Sequence, residues 1–386
     1  MIRLLHVFVV SEIGGAEAVL LNVIRFRELM DIEHYAVIVA DNEGPLCTAL
    51  TNLAVPWRRV PRGRMRNPIA LQQAGRGIRR AIREFEVNAV LTNGPQGFLY
   101  ARCAALGVKL PIAVYYMTFP KLRLWSNNVL DILTALGRPA AVFTASEGIH
   151  RIIEKWGLSN VETVHHGTAL PSIQADELEE VERVLKQYGV SSADPLVLVP
   201  GRLQSWKGQH VLIAAIPEVL KKFPNAHAVL LGAALFGLEA DYPDRIQRQI
   251  ADLSLERHVH MVGHQPIRGW LERATMVVHC ATAPDPFPNV CIEALAARRP
   301  LITNKLSGTC EILTDGLDGV IVEPNDCSAL AKAIIGVLES PATARNQAEA
   351  GYQRYLATCT PGRMVRPIEA TLAGIARRPE VAERRA

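Results

Sequence analysis

Residues 196–222 read LVLVPGRLQSWKGQHVLIAAIPEVLKK. The apolar run Leu196–Pro200 has the length and β-branching of a buried strand. Gly201 and Gly208 then permit tight backbone. From Gln209 to Lys222 the apolar residues recur at three- and four-residue spacing, which predicts a helix. Arg202 and Lys207 therefore stand at a strand end, beside the start of a helix. A diphosphate leaving group carries about two negative charges, and cations with helix N-termini stabilise it. The plain alternative is an exposed basic loop.

Working outward, the same rhythm repeats on both sides. Ala226–Leu231, Val259–Val262, Met276–His279, Leu301–Thr303 and Gly319–Val322 read as further strands, with helical patterns between them such as Ala329–Leu338. Upstream, Leu4–Val10, Ala36–Ala40, Ala89–Thr92, Ile112–Tyr116 and Ala141–Ala145 form an earlier series, with Val161–His165 a further candidate. The rhythm breaks over Gly167–Asp194, which holds Pro171, an acidic segment at Asp176–Glu180 and a Ser191–Pro195 turn. Alternating β and α predicts parallel sheets covered by helices. The expectation is an α/β protein of two doubly wound, Rossmann-like domains: 1–168, and 169–363 for the donor. The Arg-rich tail 364–386 reads as a helix that packs back on the first. Open parallel sheets bind ligands at the carboxyl ends of their strands. Two of them facing across a cleft would suit a two-substrate transfer.

Composition bounds the function. The 386 residues suffice for two domains, 49% of them are hydrophobic, and the net charge of +4 is too mild to point to nucleic acid. Seven scattered cysteines form no C-x-x-C pair, which fits a reducing cytosol. MIRLLHVFVV at the start reads as a buried strand rather than a leader, and no run reaches the length of a membrane span.

A second stretch carries chemistry: Ala283-Pro284-Asp285-Pro286-Phe287-Pro288-Asn289-Val290-Cys291-Ile292-Glu293. The prolines keep Asp285–Pro288 out of a helix. Asn289 is a candidate N-cap, and Glu293 would then lie about one turn into an otherwise apolar helix. A carboxylate there wants a partner such as a sugar hydroxyl. The alternative is a loop acid and a surface glutamate. A third stretch, Ser11-Glu12-Ile13-Gly14-Gly15-Ala16-Glu17, follows the first strand, and its glycines admit a substrate close to the backbone. It lacks G-x-G-x-x-G, so a dinucleotide is not indicated.

Together these stretches resemble the GT4 family of glycosyltransferases, whose fold is GT-B. The resemblance covers nearly the whole chain. It runs in order through Gly14-Gly15, Gly201-Arg202-x4-Lys207-Gly208, Leu231-Gly232, Val262-Gly263, Asp285-x7-Glu293, Pro300, Gly308-x2-Glu311, Asp318-Gly319 and Pro324-x-Asp326. It implies a retaining transfer from a nucleotide diphosphate sugar, with no metal and no cofactor. Arg202 and Lys207 would hold the diphosphate, and Glu293 the ribose. Asp285, where the family usually has Glu, would touch the transferred sugar. Gly201, Gly263, Phe287 and the backbone of Pro288-Asn289-Val290 would complete the donor site, with Gly15 near it from the first domain. The acceptor implied is a glycan, a lipid-linked sugar or a small metabolite, in cell-surface polysaccharide or glycoconjugate assembly. Besides Asp285, three positions depart from the family: Pro288 stands for a common Gly, Arg298 for another, and Val114–Thr118 holds no His where the first domain usually has one. The rival readings are a nucleotide-sugar epimerase of the same fold and a non-catalytic nucleotide-binding scaffold.

Other residues have plainer readings. His165-His166 reads as a polar turn, His258 and His260 as structural, and Ser146 as a helix start. Arg58–Arg83 holds nine arginines and no acid, and Phe119–Trp125 adds apolar and basic residues. Such a region is either a solvated helix face or a peripheral contact with an anionic membrane or acceptor at the inner face of the membrane.

Overall fold

A computed structural model describes residues 1–63, 67–120, 129–234 and 239–376. The chain divides into two units, Met1–Gly167 with the segment from Pro361 onward, and Thr168–Thr360.

In the first unit, β1 (Ile2–Phe8), α1 (Gly15–Arg25), β2 (Ile32–Val39), α2 (Pro45–Asn52), β3 (Trp57–Val60) and α3 (Pro68–Glu84) come first. They are followed by β4 (Ala89–Asn93), α4 (Gly94–Ala104), β5 (Ile112–Tyr116), α5 (Val129–Gly137), β6 (Ala141–Thr144), α6 (Glu147–Glu154) and β7 (Val161–Thr163). The strands form one parallel sheet in the order β3-β2-β1-β4-β5-β6-β7. Leu4, Leu5, Val37, Ile38, Val90 and Val114 are buried on its faces.

The second unit opens on α7 (Ala175–Gln187) and continues through β8 (Leu196–Pro200), α8 (Gln209–Lys222), β9 (His227–Leu231), α9 (Tyr242–Asp252), β10 (Val259–Gly263) and α10 (Ile267–Arg273). Then come β11 (Met276–Val278), α11 (Asn289–Ala296), β12 (Leu301–Asn304), β13 (Val320–Val322), α12 (Cys327–Glu339) and α13 (Pro341–Thr358). Its parallel sheet runs β10-β9-β8-β11-β12-β13. A core of Val197, Leu212, Ile216, Leu230, Ile246 and Ile334 fills the space between sheet and helices. The last helix, α14 (Pro361–Ala376), returns to the first unit. Residues 377–386 of the Arg-rich tail lie outside the described residues.

Each sheet reverses its strand order once, between β1 and β4 and between β8 and β11. Loops leaving neighbouring strands in opposite directions open a crevice there, where such sheets take their ligands. The glycine loop at residues 11–15 leaves β1, the Arg202–Lys207 loop leaves β8, and the Asp285 loop leaves β11.

The structure corrects several expectations. The break at Gly167–Asp194 contains α7, a helix of 13 residues. Only Val181 and Leu185 of α7 are buried, so its apolar stripe is too narrow to read. β3, α4 and α5 add elements that the sequence pattern does not announce. Ser146 does start a helix, accepting the Ile149 N–H on its side chain at 3.3 Å.

Candidate donor-binding site

The site grows from two backbone contacts that only glycine allows. Gly208 has φ of +77°, and a Cβ there would sit 1.8 Å from the Cys280 carbonyl oxygen. This packs the Lys207 turn against the loop that leaves β11. Gly308 lies still closer, since a Cβ would come within 1.4 Å of the Pro286 carbonyl oxygen. The Asp285 N–H donates to the Leu306 carbonyl at 3.0 Å, and the Gly308 N–H to the Asp285 carbonyl at 2.8 Å. Two loops far apart in sequence are thereby locked to one another.

Locked this way, Lys207 Nζ lies 2.7 Å from Asp285 Oδ2 and 4.2 Å from the centre of the Trp206 ring. His279, the residue after β11, donates from Nε2 to the same Asp285 oxygen at 3.1 Å. Its Nδ1 meets Thr303 Oγ1 at 3.1 Å. Asp285, His279 and Thr303 are all buried. Burial pushes the Asp285 pKa up, but Lys207 and His279 outweigh it and hold the carboxyl well below the usual carboxylate range. Asp285 is therefore an anion at neutral pH, and a fixed one.

Glu293 is its opposite. It is half-buried on α11, and among the described residues its carboxyl has no hydrogen-bond or ion-pair partner. Burial raises its pKa to about 7. A carboxyl held in that state is ready to accept from hydroxyl donors that the protein does not supply.

The N-cap of α11 is Pro288, not Asn289, which becomes the first helical residue. Phe287 and Pro288 are buried beneath that helix start, and Val290 is half-buried in its first turn. Arg202 is half-buried on the β8 loop, and its carbonyl accepts from Gln209 Nε2 at 2.9 Å. Gly201 continues β8, its N–H donating to the Leu231 carbonyl, and Gly263 closes β10. Asp285, Lys207, Phe287 and the start of α11 are thus gathered at the strand-order reversal of one unit. Gly15 opens α1 in the other unit, where Glu17 binds back to the Gly14 N–H and also accepts from Asn93 Nδ2.

Sequence reasoning passes over His279 and Thr303. The available signal was a histidine closing the apolar strand Met276–Val278, six residues ahead of Asp285. Elsewhere, His227 and His260 pair at 3.0 Å, and His166 packs edge-on against Tyr115. Among the described residues no group of three or more His, Cys, Asp or Glu is placed to hold a metal.

Of the arginine segment, Arg58 pairs with Glu84, and Arg79 donates to the carbonyls of Ala104 and Leu106. Arg59 reaches the Asp41 carbonyl, while the Arg62 N–H donates to the Asp41 carboxylate. Arg76, Arg79, Arg80, Arg83 and Glu84 line a cavity of about 520 Å³. Arg64, Arg66 and Lys121–Trp125 lie outside the described residues.

Residues 180–354 match the family described as glycosyl transferases group 1. A glycogen synthase of Mycobacterium tuberculosis is 34% identical over 158 residues, 41% of this chain and 37% of that protein. A phosphatidyl-myo-inositol mannosyltransferase of Mycolicibacterium smegmatis is 30% identical over 155 residues, 38% of this chain and 35% of that protein. The matches to these relatives therefore span well under half of their length. Over the whole fold, HepE of Anabaena, solved with UDP and glucose, superposes with a TM-score of 0.83 at 21% identity. That match covers 97% of this chain and 100% of HepE. Sucrose-phosphate synthase of Thermosynechococcus elongatus has a TM-score of 0.78 at 16% identity, over 97% of this chain and 99% of its own. The fold is GT-B.

Proposed function

We propose that this chain, whose residues 180–354 match glycosyl transferases group 1, moves a sugar from a nucleoside diphosphate to an acceptor hydroxyl with retention at the anomeric carbon. The observation that carries the reading is the pairing of a fixed cation with a waiting carboxyl at one sheet crevice. Lys207 is paired with Asp285, which His279 also binds, and Glu293 lacks a partner among the described residues. In this reading Arg202 and Lys207 neutralise the departing diphosphate, together with the N–H groups at the start of α11. Glu293 accepts from the ribose hydroxyls. Asp285, with Oδ2 committed to Lys207 and His279, offers its other oxygen to a hydroxyl of the sugar. The cationic charge comes from side chains, so neither a metal nor a cofactor is needed. The acceptor is a glycan, a lipid-linked sugar or a metabolite, in cell-surface polysaccharide or glycoconjugate assembly. An epimerase of the same fold would isomerise the donor without an acceptor, and a scaffold would bind it without turnover.

Glu293→Gln tests the ribose contact. Calorimetry with UDP, GDP and ADP should find the tightest of them weakened about tenfold, the size of one hydrogen bond to a charged group. The same variant has a signature in stability. The native carboxyl holds its proton to higher pH than the unfolded one, so wild-type stability falls as pH rises from about 4.5 through about 7. Glu293→Gln escapes that loss, and its melting temperature should gain on wild type across this window. Unchanged nucleotide affinity would make Glu293 a structural residue.

A peripheral membrane contact is proposed for the first unit. Among the described residues no helix is long and apolar enough to cross a membrane. Arg76, Arg80 and Arg83 are exposed on α3. Each basic group near an anionic surface contributes about 1 kcal/mol, less at high salt. Reversing these three to Glu should abolish co-sedimentation with phosphatidylserine vesicles at low salt and leave nucleotide binding intact. Wild type that stays in the supernatant would make them a solvated face.

A further inference from the structure

We propose that His279 is a positioning residue, whose Nε2–H fixes the Asp285 carboxylate and through it holds the Lys207 ammonium where the donor diphosphate is bound. The inference deepens the donor-site reading and rests on it for the ligand. Its geometry stands by itself.

A carboxylate only accepts hydrogen bonds, so Nε2 of His279 must be the donor in the contact with Asp285 Oδ2. The other ring nitrogen, Nδ1, pairs with the Thr303 hydroxyl. The ring is held at both ends, and its backbone N–H is committed to the Ile302 carbonyl at 2.9 Å. The His279 side chain is 2% exposed and Asp285 9%, whereas Lys207 keeps 16%. The triad thus runs from a sealed histidine, through a nearly sealed carboxylate, to a cation at the surface of the crevice.

A lone Lys–Asp pair would satisfy charge, but it would leave Asp285 free to turn about χ2 and the lysine stem free to follow. The second donor removes that freedom. Three titratable groups from three elements face the carboxylate: Lys207 from the loop after β8, His279 from the end of β11, and Cys291 from α11. The Cys291 thiol is pushed up to about 12 by burial and stays neutral, so it does not compete for Lys207.

The test compares His279→Leu, which removes the donor, with His279→Gln, whose amide can replace it. In the ligand-free chain, carbon-13 NMR of aspartate carboxyls should show the Asp285 pKa raised in the Leu variant and kept low in the Gln variant. In binding, the Leu variant should lose about tenfold in affinity for UDP and nothing for uridine, which lacks the phosphates. The Gln variant should recover most of that loss. Should the Leu variant not fold, Thr303→Val, which strips the ring of its other partner, should weaken UDP selectively and by less.

Equal Asp285 titration in wild type and both variants overturns the proposal, as does a parallel loss of UDP and uridine. If Asp285 titrates as expected but wild type binds neither UDP, GDP nor ADP, the donor-site reading fails and the His279–Asp285 coupling survives.

Discussion

Lys207→Ala is expected to cut turnover of the nucleotide sugar by about 10²–10³, since removing one preorganised donor to developing charge costs about 2.7–4 kcal/mol. The reason lies in where Lys207 stands. Its ammonium is held 2.7 Å from Asp285 in a part-buried site, so it is in place before charge develops on the leaving diphosphate. The same substitution strips Asp285 of its cation and leaves a buried carboxylate with His279 alone, which also destabilises the fold. A second variant separates the two effects. Lys207→Ala with Asp285→Asn removes the stranded charge, so its melting temperature should recover while turnover stays low. Steady-state kinetics on both variants, with thermal melts alongside, reads the outcome. Near-normal kcat/KM in the single variant would remove Lys207 from the chemistry.

Gly308→Ala should be the most damaging single methyl in the second unit. The new carbon would lie 1.4 Å from the Pro286 carbonyl oxygen and 2.4 Å from its carbon, both backbone atoms without a rotamer to yield. The Asp285–Phe287 segment must move, and with it the hydrogen bonds that tie Asp285 to Leu306 and Gly308. A loss of about 3 kcal/mol, at the upper end of ordinary substitutions, is expected in chemical denaturation. Turnover should fall further than stability explains, because the displaced loop carries Asp285. Gly336→Ala supplies the control. That glycine lies inside α12 with nothing within 4 Å of its would-be Cβ, so alanine there should be neutral or stabilising. Gly308→Ala with wild-type stability and turnover would mean that the close approach is not required.

Much of this was legible from residue pattern, and the exceptions have physical causes. β5, β6 and β8 are short apolar runs buried along their length, so hydrophobicity alone marks them. β3 is an edge strand whose Arg58 and Arg59 face solvent, and it offers no such run. α4 begins at Gly94-Pro95, a dipeptide that reads as a loop but here supplies the helix's first turn. In the site, Asp285, Lys207 and Glu293 stand out as charges in ordered motifs. That Lys207 and Asp285 touch across 78 residues follows only from strand order, which sequence periodicity does not give. The partners of His279 are hidden for the same reason. Its partners Asp285 and Thr303 come from a loop and from the neighbouring strand β12, and only pairing β11 with β12 brings them together.

The most direct test of the account is release of sugar from a panel of nucleoside diphosphate sugars in the presence of EDTA, followed by NMR of the anomeric centre. One donor should be consumed without added metal, an acceptor should accelerate it, and the transferred sugar should keep its anomeric configuration. Isomerised donor without acceptor would point to an epimerase, and binding without turnover to a scaffold. Turnover that disappears with EDTA and returns with magnesium would contradict the assignment of the leaving-group charge to Arg202 and Lys207.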